Sequence, residues 1–247
     1  LHVGTYNSFA NQTEIPFESY MNNEWINLAI TWDGSAMETF IDGETAGVIY
    51  PPYFATDGTM SIGRDLGAGV GSGNFDIDEL QIWNQVLDVE EIQSFPNNIL
   101  NDYGLVGYWK MDSGEDEILY DHSGGQNHGD INGATWYLPA TLGENNSLSF
   151  DGEDDRVVIP HSSDFDFSNQ FTIQGWFNHK SDMNERYIIT KGRDIPPASS
   201  HRFWGLRSNN DGSLFFEIIM QNSGYNGFQI DPSFVLDTWN HFSLVYD

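Results

Sequence analysis

The stretch that decides the fold is Asn23-Glu24-Trp25-Ile26-Asn27-Leu28-Ala29-Ile30-Thr31-Trp32-Asp33, because residues 237–247 repeat its pattern at the other end of the chain. Both copies read tryptophan, two residues, alternating apolar positions, an aromatic residue and then aspartate. The alternation places Leu28 and Ile30 on one face of a strand, with Phe242 and Leu244 as their counterparts. The chain is therefore predicted to hold parts of two copies of one β module.

The rest of the sequence also predicts an all-β fold. Short runs rich in β-branched and aromatic residues are separated by Asp-Gly, Gly-Gly and Asn-Gly turns. The predicted strands include residues 27–32, 38–41, 47–50, 59–62, 77–83, 156–159, 172–177, 187–190 and 214–220. One helical turn is predicted over residues 88–95, because Asp88 can cap it, Glu91 can reach back to the cap, and Pro96 stops it.

An ordered series of motifs resembles a laminin G-like, concanavalin A-like jelly roll, which is an antiparallel β-sandwich. Motifs of the closing half come first, at residues 25–33, 40–43, 61–63, 75–83 and 87–92. Motifs of the opening half follow, at residues 105–112, 121–124, 127–129, 148–152 and 171–176. Each motif is weak alone, but their order along nearly the whole chain is specific.

This order predicts a closing half over residues 1–97, a linker over 98–104 and an opening half over 105–247. Each half alone would leave an apolar sheet face uncovered, and such a face needs another layer. Two arrangements satisfy this need: the halves pack together as one circularly permuted sandwich, or each is completed by a neighbouring module. We favour the permuted sandwich, because two incomplete sandwiches should not be stable.

Composition excludes several classes of partner. With 37 acidic and nine basic residues, the net charge of -28 would repel nucleic acid and anionic lipid surfaces. No run approaches 18 consecutive apolar residues, so we expect no membrane insertion. The absence of cysteine excludes a disulfide framework and fits a microbial surface protein. We expect an extracellular or cell-surface location, with any targeting leader removed or outside this sequence.

The glycine-bearing segment from Asp121 to Asp130 is the candidate metal site. Asp121, Asn127 and Asp130 could supply side-chain oxygen to Ca²⁺, a hard ion that takes six to eight oxygen ligands. The resemblance implies that Asp78 would complete this site. We expect the calcium to be structural rather than to bridge a ligand. The alternative is that Asp121 and Ser123 simply close an Asx-type turn. Zinc is disfavoured, because no third nitrogen or sulfur ligand accompanies His122 and His128.

The case for an enzyme depends on residues 76–81. Glucanases of the resembling fold carry a Glu-x-Asp-x-x-Glu strand whose two catalytic carboxylates flank the scissile bond. The matching positions here are Asp76, Asp78 and Gln81, and a glutamine cannot act as the general acid. We therefore predict that the protein is not an enzyme and rank a polysaccharide hydrolase third among the functions.

The leading prediction is a recognition or adhesion module that binds glycans or cell-surface proteins. Most of the eight tryptophans are expected in the core, whereas Trp204, in a loop-rich segment beside Arg202, is expected to be exposed. Trp204, Arg202 and, more weakly, Arg64 are the predicted ligand contacts. The alternative is a structural repeat of a stalk or filament, in which strands are completed between neighbouring modules or subunits.

Overall fold

A computed structural model of the chain describes residues 2–5, 8–14, 28–32, 37–41, 44–49, 58–64, 66, 72–94, 102–137, 146–167, 170–180, 186–192, 203–208, 214–220, 224–230 and 239–246. The strands in these ranges are β1 His2–Thr5, β2 Ser8–Glu14, β3 Leu28–Trp32, β4 Met37–Ile41, β5 Glu44–Ile49, β6 Met60–Ile62, β7 Asn74–Trp83, β8 Leu105–Trp109, β9 Ile118–Leu119, β10 Gly129–Asn132, β11 Thr135–Tyr137, β12 Ser147–Asp151, β13 Arg156–Ile159, β14 Phe171–His179, β15 Arg186–Lys191, β16 Phe203–Ser208, β17 Leu214–Met220, β18 Gly224–Ile230 and β19 Trp239–Tyr246. One α-helix, α1, spans Val89–Ser94, and a 3₁₀ turn spans Ser163–Phe165.

These strands form antiparallel sheets. The ten-stranded sheet has the order β2-β1-β18-β17-β16-β15-β6-β13-β10-β9. The six-stranded sheet has the order β11-β12-β7-β14-β19, with β8 also paired to β7, and a third sheet has the order β3-β4-β5. The predicted class, an antiparallel β-sandwich, is confirmed.

Strands from both predicted halves share the two larger sheets. β6 lies between β13 and β15, and β7 lies between β12 and β14. Both β6 and β7 come from the predicted closing half, whereas their four neighbours come from the predicted opening half. Most of the predicted linker lies outside the described residues, which resume at Asp102.

The core lies between the two larger sheets. Along β7, Phe75, Ile77, Leu80 and Ile82 are fully buried and belong to one apolar cluster. The same cluster includes Ile62 and other residues of the ten-stranded sheet, among them Met60, Val157, Ile159, Ile189, Leu206 and Phe216. Burying each large apolar side chain contributes about 1.5–3 kcal/mol. β7 is thereby fixed with one face inward and the other face available to a site.

A β-bulge in β7 sets which side chains share its outer face. On β14, Gln174 and Trp176 are two residues apart. Their partners on β7, Gln81 and Asp78, are three residues apart. The extra residue of β7 lies between Asp78 and Gln81. In this stretch Glu79 has a φ of 52°, which lies in the left-handed region. This conformation costs a non-glycine residue about 1 kcal/mol. The bulge shifts the alternation by one, so that Asp78 and Gln81 project from the same face.

The predicted helical turn is confirmed, including its cap. The Glu91 amide donates to Asp88 Oδ1 at 2.8 Å, and the Asp88 amide donates to Glu91 Oε2 at 2.9 Å. This reciprocal pair is a capping box. α1 packs its Ile92 with Trp83 and Leu87 in a second apolar cluster.

The predicted strands over residues 156–159 and 214–220 have the observed bounds, and the strand predicted over 77–83 begins earlier, at Asn74. Both copies of the repeated stretch contribute strands, β3 and β19. Within the described part of the chain, no helix is long and apolar enough to cross a membrane.

Candidate functional site

Six polar or aromatic side chains line the outer face of the six-stranded sheet, where β7 runs beside β14. They form three cross-strand pairs, and we call them the polar face: Asp76 with Asn178, Asp78 with Trp176, and Gln81 with Gln174. The core residues of β7 point to the opposite side of the sheet. The polar face is therefore built on two strands that the core holds rigidly.

The polar face is largely buried, yet several of its polar atoms have no hydrogen-bond partner. Among the described residues these atoms are Asp78 Oδ1, Gln81 Nε2, Gln174 Oε1 and Asn178 Oδ1. The side chains of Gln81 and Gln174 are 0% and 1% exposed, and those of Asp78 and Asn178 are each 8% exposed. An unpartnered buried polar group costs about 1–3 kcal/mol. Four of them on one face are typical of a site that a ligand or ordered water completes.

The deep end of the polar face is closed. Gln81 Oε1 accepts hydrogen bonds from Trp83 Nε1 at 3.1 Å and from Gln174 Nε2 at 3.0 Å. Beyond it, the Thr172 hydroxyl accepts from the Leu87 amide and donates to the Gln85 carbonyl. The segment leading into α1 therefore covers this end of β14.

The other end of the polar face reaches solvent. Lys180 Nζ lies 2.6 Å from Asp76 Oδ2, and the lysine side chain is 34% exposed. Trp176 is half-buried, in contrast to the fully buried Trp109 and Trp204. A half-buried aromatic side chain beside hydrogen-bonding groups on a buried polar face is a common arrangement in ligand sites.

Burial also sets the charge of the polar face. Burial raises the pKa of Asp78 to about 8, and the nearby charges of Glu79 and Asp112 act in the same direction. Burial likewise raises the pKa of Glu79, while the hydrogen bond that its carboxylate accepts from the Tyr108 hydroxyl lowers it. Lys110 Nζ lies 5.4 Å from the centre of the Tyr108 ring. At pH 7, Asp78 is therefore mainly a neutral carboxylic acid.

The positions that were compared with glucanases lie together, but their contacts do not support hydrolysis. Asp76, Asp78 and Gln81 share one face, because the bulge at Glu79 brings Gln81 to the side of the two aspartates. Gln81 has no proton to transfer and is fixed by Trp83 and Gln174. Asp76 is held in an ion pair with Lys180. A retaining or inverting mechanism needs a carboxylic acid and a second free carboxylate across the bond, and this arrangement does not present that pair.

The predicted calcium ligands are not gathered around one point. Asp121 Oδ1 accepts from the amides of Tyr108 and Ser123, and its Oδ2 accepts from the Ser123 hydroxyl and the Asn127 amide. The Asn127 side-chain amide donates to the Val106 carbonyl, Asp130 is exposed on β10, and Asp78 lies on the polar face. The oxygens of Asp121 thus close the loop as in an Asx turn, and this donor set fits Ca²⁺ poorly.

Another group of carboxylates lies closer together. In the described ranges, Asp151, Asp154 and Asp155 form the one group of three or more acidic or histidine side chains whose ligand atoms lie within 4.8 Å. Asp155 Oδ2 accepts a hydrogen bond from the Asp151 amide, so one of its oxygens already has a partner. Calcium binding at Asp121, Asn127, Asp130 and Asp78 stays a prediction.

The expectation that Trp204 is exposed is wrong. Its side chain is 0% exposed, and its ring packs against those of Phe167, Phe171 and Phe216. It lies on β16, where its side chain points into the core. Arg202 lies outside the described residues. Arg64 is half-buried, and its carbonyl accepts a hydrogen bond from the Ser61 hydroxyl. A ligand contact by either arginine stays a prediction.

The order of residues along β14 predicts the polar face, although the composition of the chain does not. Along β14, Thr172, Gln174, Trp176 and Asn178 alternate with residues that are fully buried or have no side chain. This period of 2 indicates a strand with one polar face. Most of the eight tryptophans are expected in the core, but the position of Trp176 in this alternation places it on the polar face.

The antiparallel sheets define the fold class: a β-sandwich of concanavalin A-like type. A family model of laminin G type, described as the concanavalin A-like lectin/glucanases superfamily, matches residues 3–93 and 151–247. The chain belongs to this family. Family membership supports a carbohydrate-binding or adhesion-type module in general terms. Laminin G-like domains are typically non-catalytic and commonly extracellular, although the superfamily also includes glycosidases. No curated protein and no solved structure matches the chain.

Proposed function

We propose that the protein is a non-catalytic extracellular recognition module that binds glycans through the polar face. The observation that supports this proposal most strongly is the position of the half-buried Trp176, opposite Asp78 and next to Asn178 on the same face, both of which carry an unpartnered oxygen. Specific sites combine an aromatic surface with a few fixed polar groups. A pyranose ring presents an apolar face and a rim of hydroxyl groups, which matches both features.

The unpartnered atoms make binding favourable without any new element of structure. A ligand hydroxyl that reaches Asp78 Oδ1 or Asn178 Oδ1 supplies a hydrogen bond that the protein lacks. Because these oxygens are themselves shielded, the carboxyl or amide group must rotate about its terminal bond, which is a soft torsion. The rigid strands leave little backbone entropy to lose on binding.

A glycan array tests this proposal directly. Purified protein is applied to an array of polysaccharides and oligosaccharides, together with the variant Trp176→Ala. The matched control is Tyr120→Ala, which removes a 41% exposed aromatic ring directly after β9, at the edge of the ten-stranded sheet. We expect the wild type and the control to retain the same glycans, and the Trp176 variant to lose at least about tenfold in affinity, as for an aromatic anchor.

Two results would refute the proposal. Retention of no glycan by the wild type, in a preparation with a cooperative unfolding transition, would rule out glycan recognition by this module. Equal retention by wild type and Trp176→Ala would place the binding surface elsewhere. Thermal unfolding of the variant separates loss of binding from loss of folding.

A structural repeat of a stalk or filament is the second candidate, and the repeated strands favour it. β3 and β19 share one sequence pattern and lie side by side, with Cα atoms within 8 Å. Among the described strands, β19 is paired with β14 and β3 is paired with β4. Each copy thus shows a single ladder partner in the described residues. Concentration-dependent polymers without ligand, seen by light scattering, would favour this function, and a monomer at all concentrations would contradict it.

A further inference from the structure

We infer that the polar face selects uncharged saccharides over saccharides that carry carboxylate or sulfate groups. This inference rests on the proposed function, since it concerns which glycans the polar face accepts.

The charges at the polar face disfavour an anionic ligand. Two of its six side chains are carboxyl groups, Asp76 and Asp78, and the charges of Glu79 and Asp112 act on the same region. Two lysines are described beside it: Lys180 is paired with Asp76, and Lys110 lies over the Tyr108 ring and acts on Glu79. The carboxyl groups described here therefore outnumber the lysines, which disfavours a ligand carboxylate or sulfate.

The unpartnered atoms toward the open end of the polar face favour a ligand that donates hydrogen bonds. Asp78 Oδ1 and Asn178 Oδ1 have no partner there, whereas Gln81 and Gln174 lie at the closed end. A sugar hydroxyl group can donate to such an oxygen. A carboxylate or sulfate group can only accept, so in the same position it would leave the Asn178 oxygen without a donor and place another negative charge beside Asp76.

The burial of the polar face acts in the same direction. Asp78 and Asn178 are each 8% exposed, so a ligand carboxylate or sulfate that reached them would lose its hydration. Neutral hydroxyl groups avoid most of this cost.

The test compares neutral glycans with acidic ones on one array. The probes are neutral oligosaccharides and their uronate, sialylated and sulfated counterparts, printed at equal density and read at low and at physiological salt. We expect retention of neutral glycans at least tenfold above that of their acidic counterparts, with the difference growing at low salt, because screening weakens repulsion.

Two charge-reversal variants locate the origin of this selectivity. Asp112 is exposed and acts on both Asp78 and Glu79, so Asp112→Lys should raise the relative retention of acidic glycans at least threefold. Glu153→Lys makes the same change of charge at an exposed loop position and should leave the ratio unchanged.

The outcomes separate this inference from the proposed function. Equal or stronger retention of acidic glycans overturns the selectivity while leaving glycan recognition intact. An identical shift in both charge variants would show that net charge, not the polar face, governs the preference. Retention of no glycan at all refutes the proposed function and, with it, the inferred selectivity.

Discussion

Replacing Asp78 with asparagine should stabilise the protein at neutral and alkaline pH. The side chain is 8% exposed, its Oδ1 has no hydrogen-bond partner, and burial raises its pKa to about 8. Asparagine has nearly the same size and stays neutral at all pH values of interest. The variant therefore removes the cost of ionising a buried carboxyl group and keeps the shape of the polar face.

The sign and size of the effect follow from proton linkage. An unfolded aspartate has a pKa of about 3.9, so between about pH 4 and pH 8 the folded state binds one proton more than the unfolded state. The stability of the wild type therefore falls as pH rises through this window and levels off above the folded pKa. At about 1.36 kcal/mol per pKa unit, the cost at pH 7 is about 4 kcal/mol. The asparagine variant should lack this slope.

Urea unfolding, followed by tryptophan fluorescence from pH 4 to pH 9, measures the difference. The two proteins should be nearly equal at pH 4, and the variant should be more stable by several kcal/mol at pH 8. Asp76→Asn is the matched control. It removes the ion-pair partner of Lys180 and should lower the free energy of unfolding by about 1 kcal/mol. A constant difference between wild type and Asp78→Asn across this pH range would refute the reasoning.

Three further perturbations test other parts of the account. Asp88→Ala removes the cap of α1 and should lower the free energy of unfolding by about 1 kcal/mol, whereas exposed Glu90→Ala should change it little; equal losses would argue against the capping box. Lys191 Nζ lies 3.0 Å from Asp166 Oδ1, and the lysine side chain is 1% exposed. Asp166→Asn removes this carboxylate, so the free energy of unfolding, measured with denaturant, should fall by about 3 kcal/mol. An unchanged denaturant midpoint would contradict the buried ion pair. If Ca²⁺ binds the folded state, a concentration of a hundred times its dissociation constant raises the free energy of unfolding by about 2.7 kcal/mol. A thermal unfolding transition that does not move when chelator is added would rule out the predicted site.

The fold could be predicted from sequence because local patterns and global topology agree. Alternation of apolar residues fixed most strands, and Asp88, Glu91 and Pro96 fixed the helical turn. The repeated stretch indicated two copies of one module, and both copies are strands. Pairing across the sheets could not be predicted in the same way, because β6 and β7 pair with β12, β13, β14 and β15, which lie about 70 to 130 residues away in sequence, and local patterns do not encode such contacts.

The candidate site was predicted less well. The comparison with the glucanase strand grouped Asp76, Asp78 and Gln81, but the bulge that brings Gln81 to their face cannot be read from spacing. Only the pairing of β7 with β14 shows that Trp176 and Asn178 join them. Trp204 illustrates the opposite error. Neighbouring loop residues suggested exposure, whereas its position on β16 places the ring in the core. Burial of an aromatic residue depends on the face of the strand, and sequence neighbours do not decide it.

Hydrogen–deuterium exchange, measured with and without a glycan that the array shows to be retained, tests the central claim most directly. The account predicts that the ligand slows exchange in peptides covering Asn74–Trp83 and Phe171–His179, the two strands that carry the polar face. Protection confined to other segments, with these two strands unchanged, would contradict it.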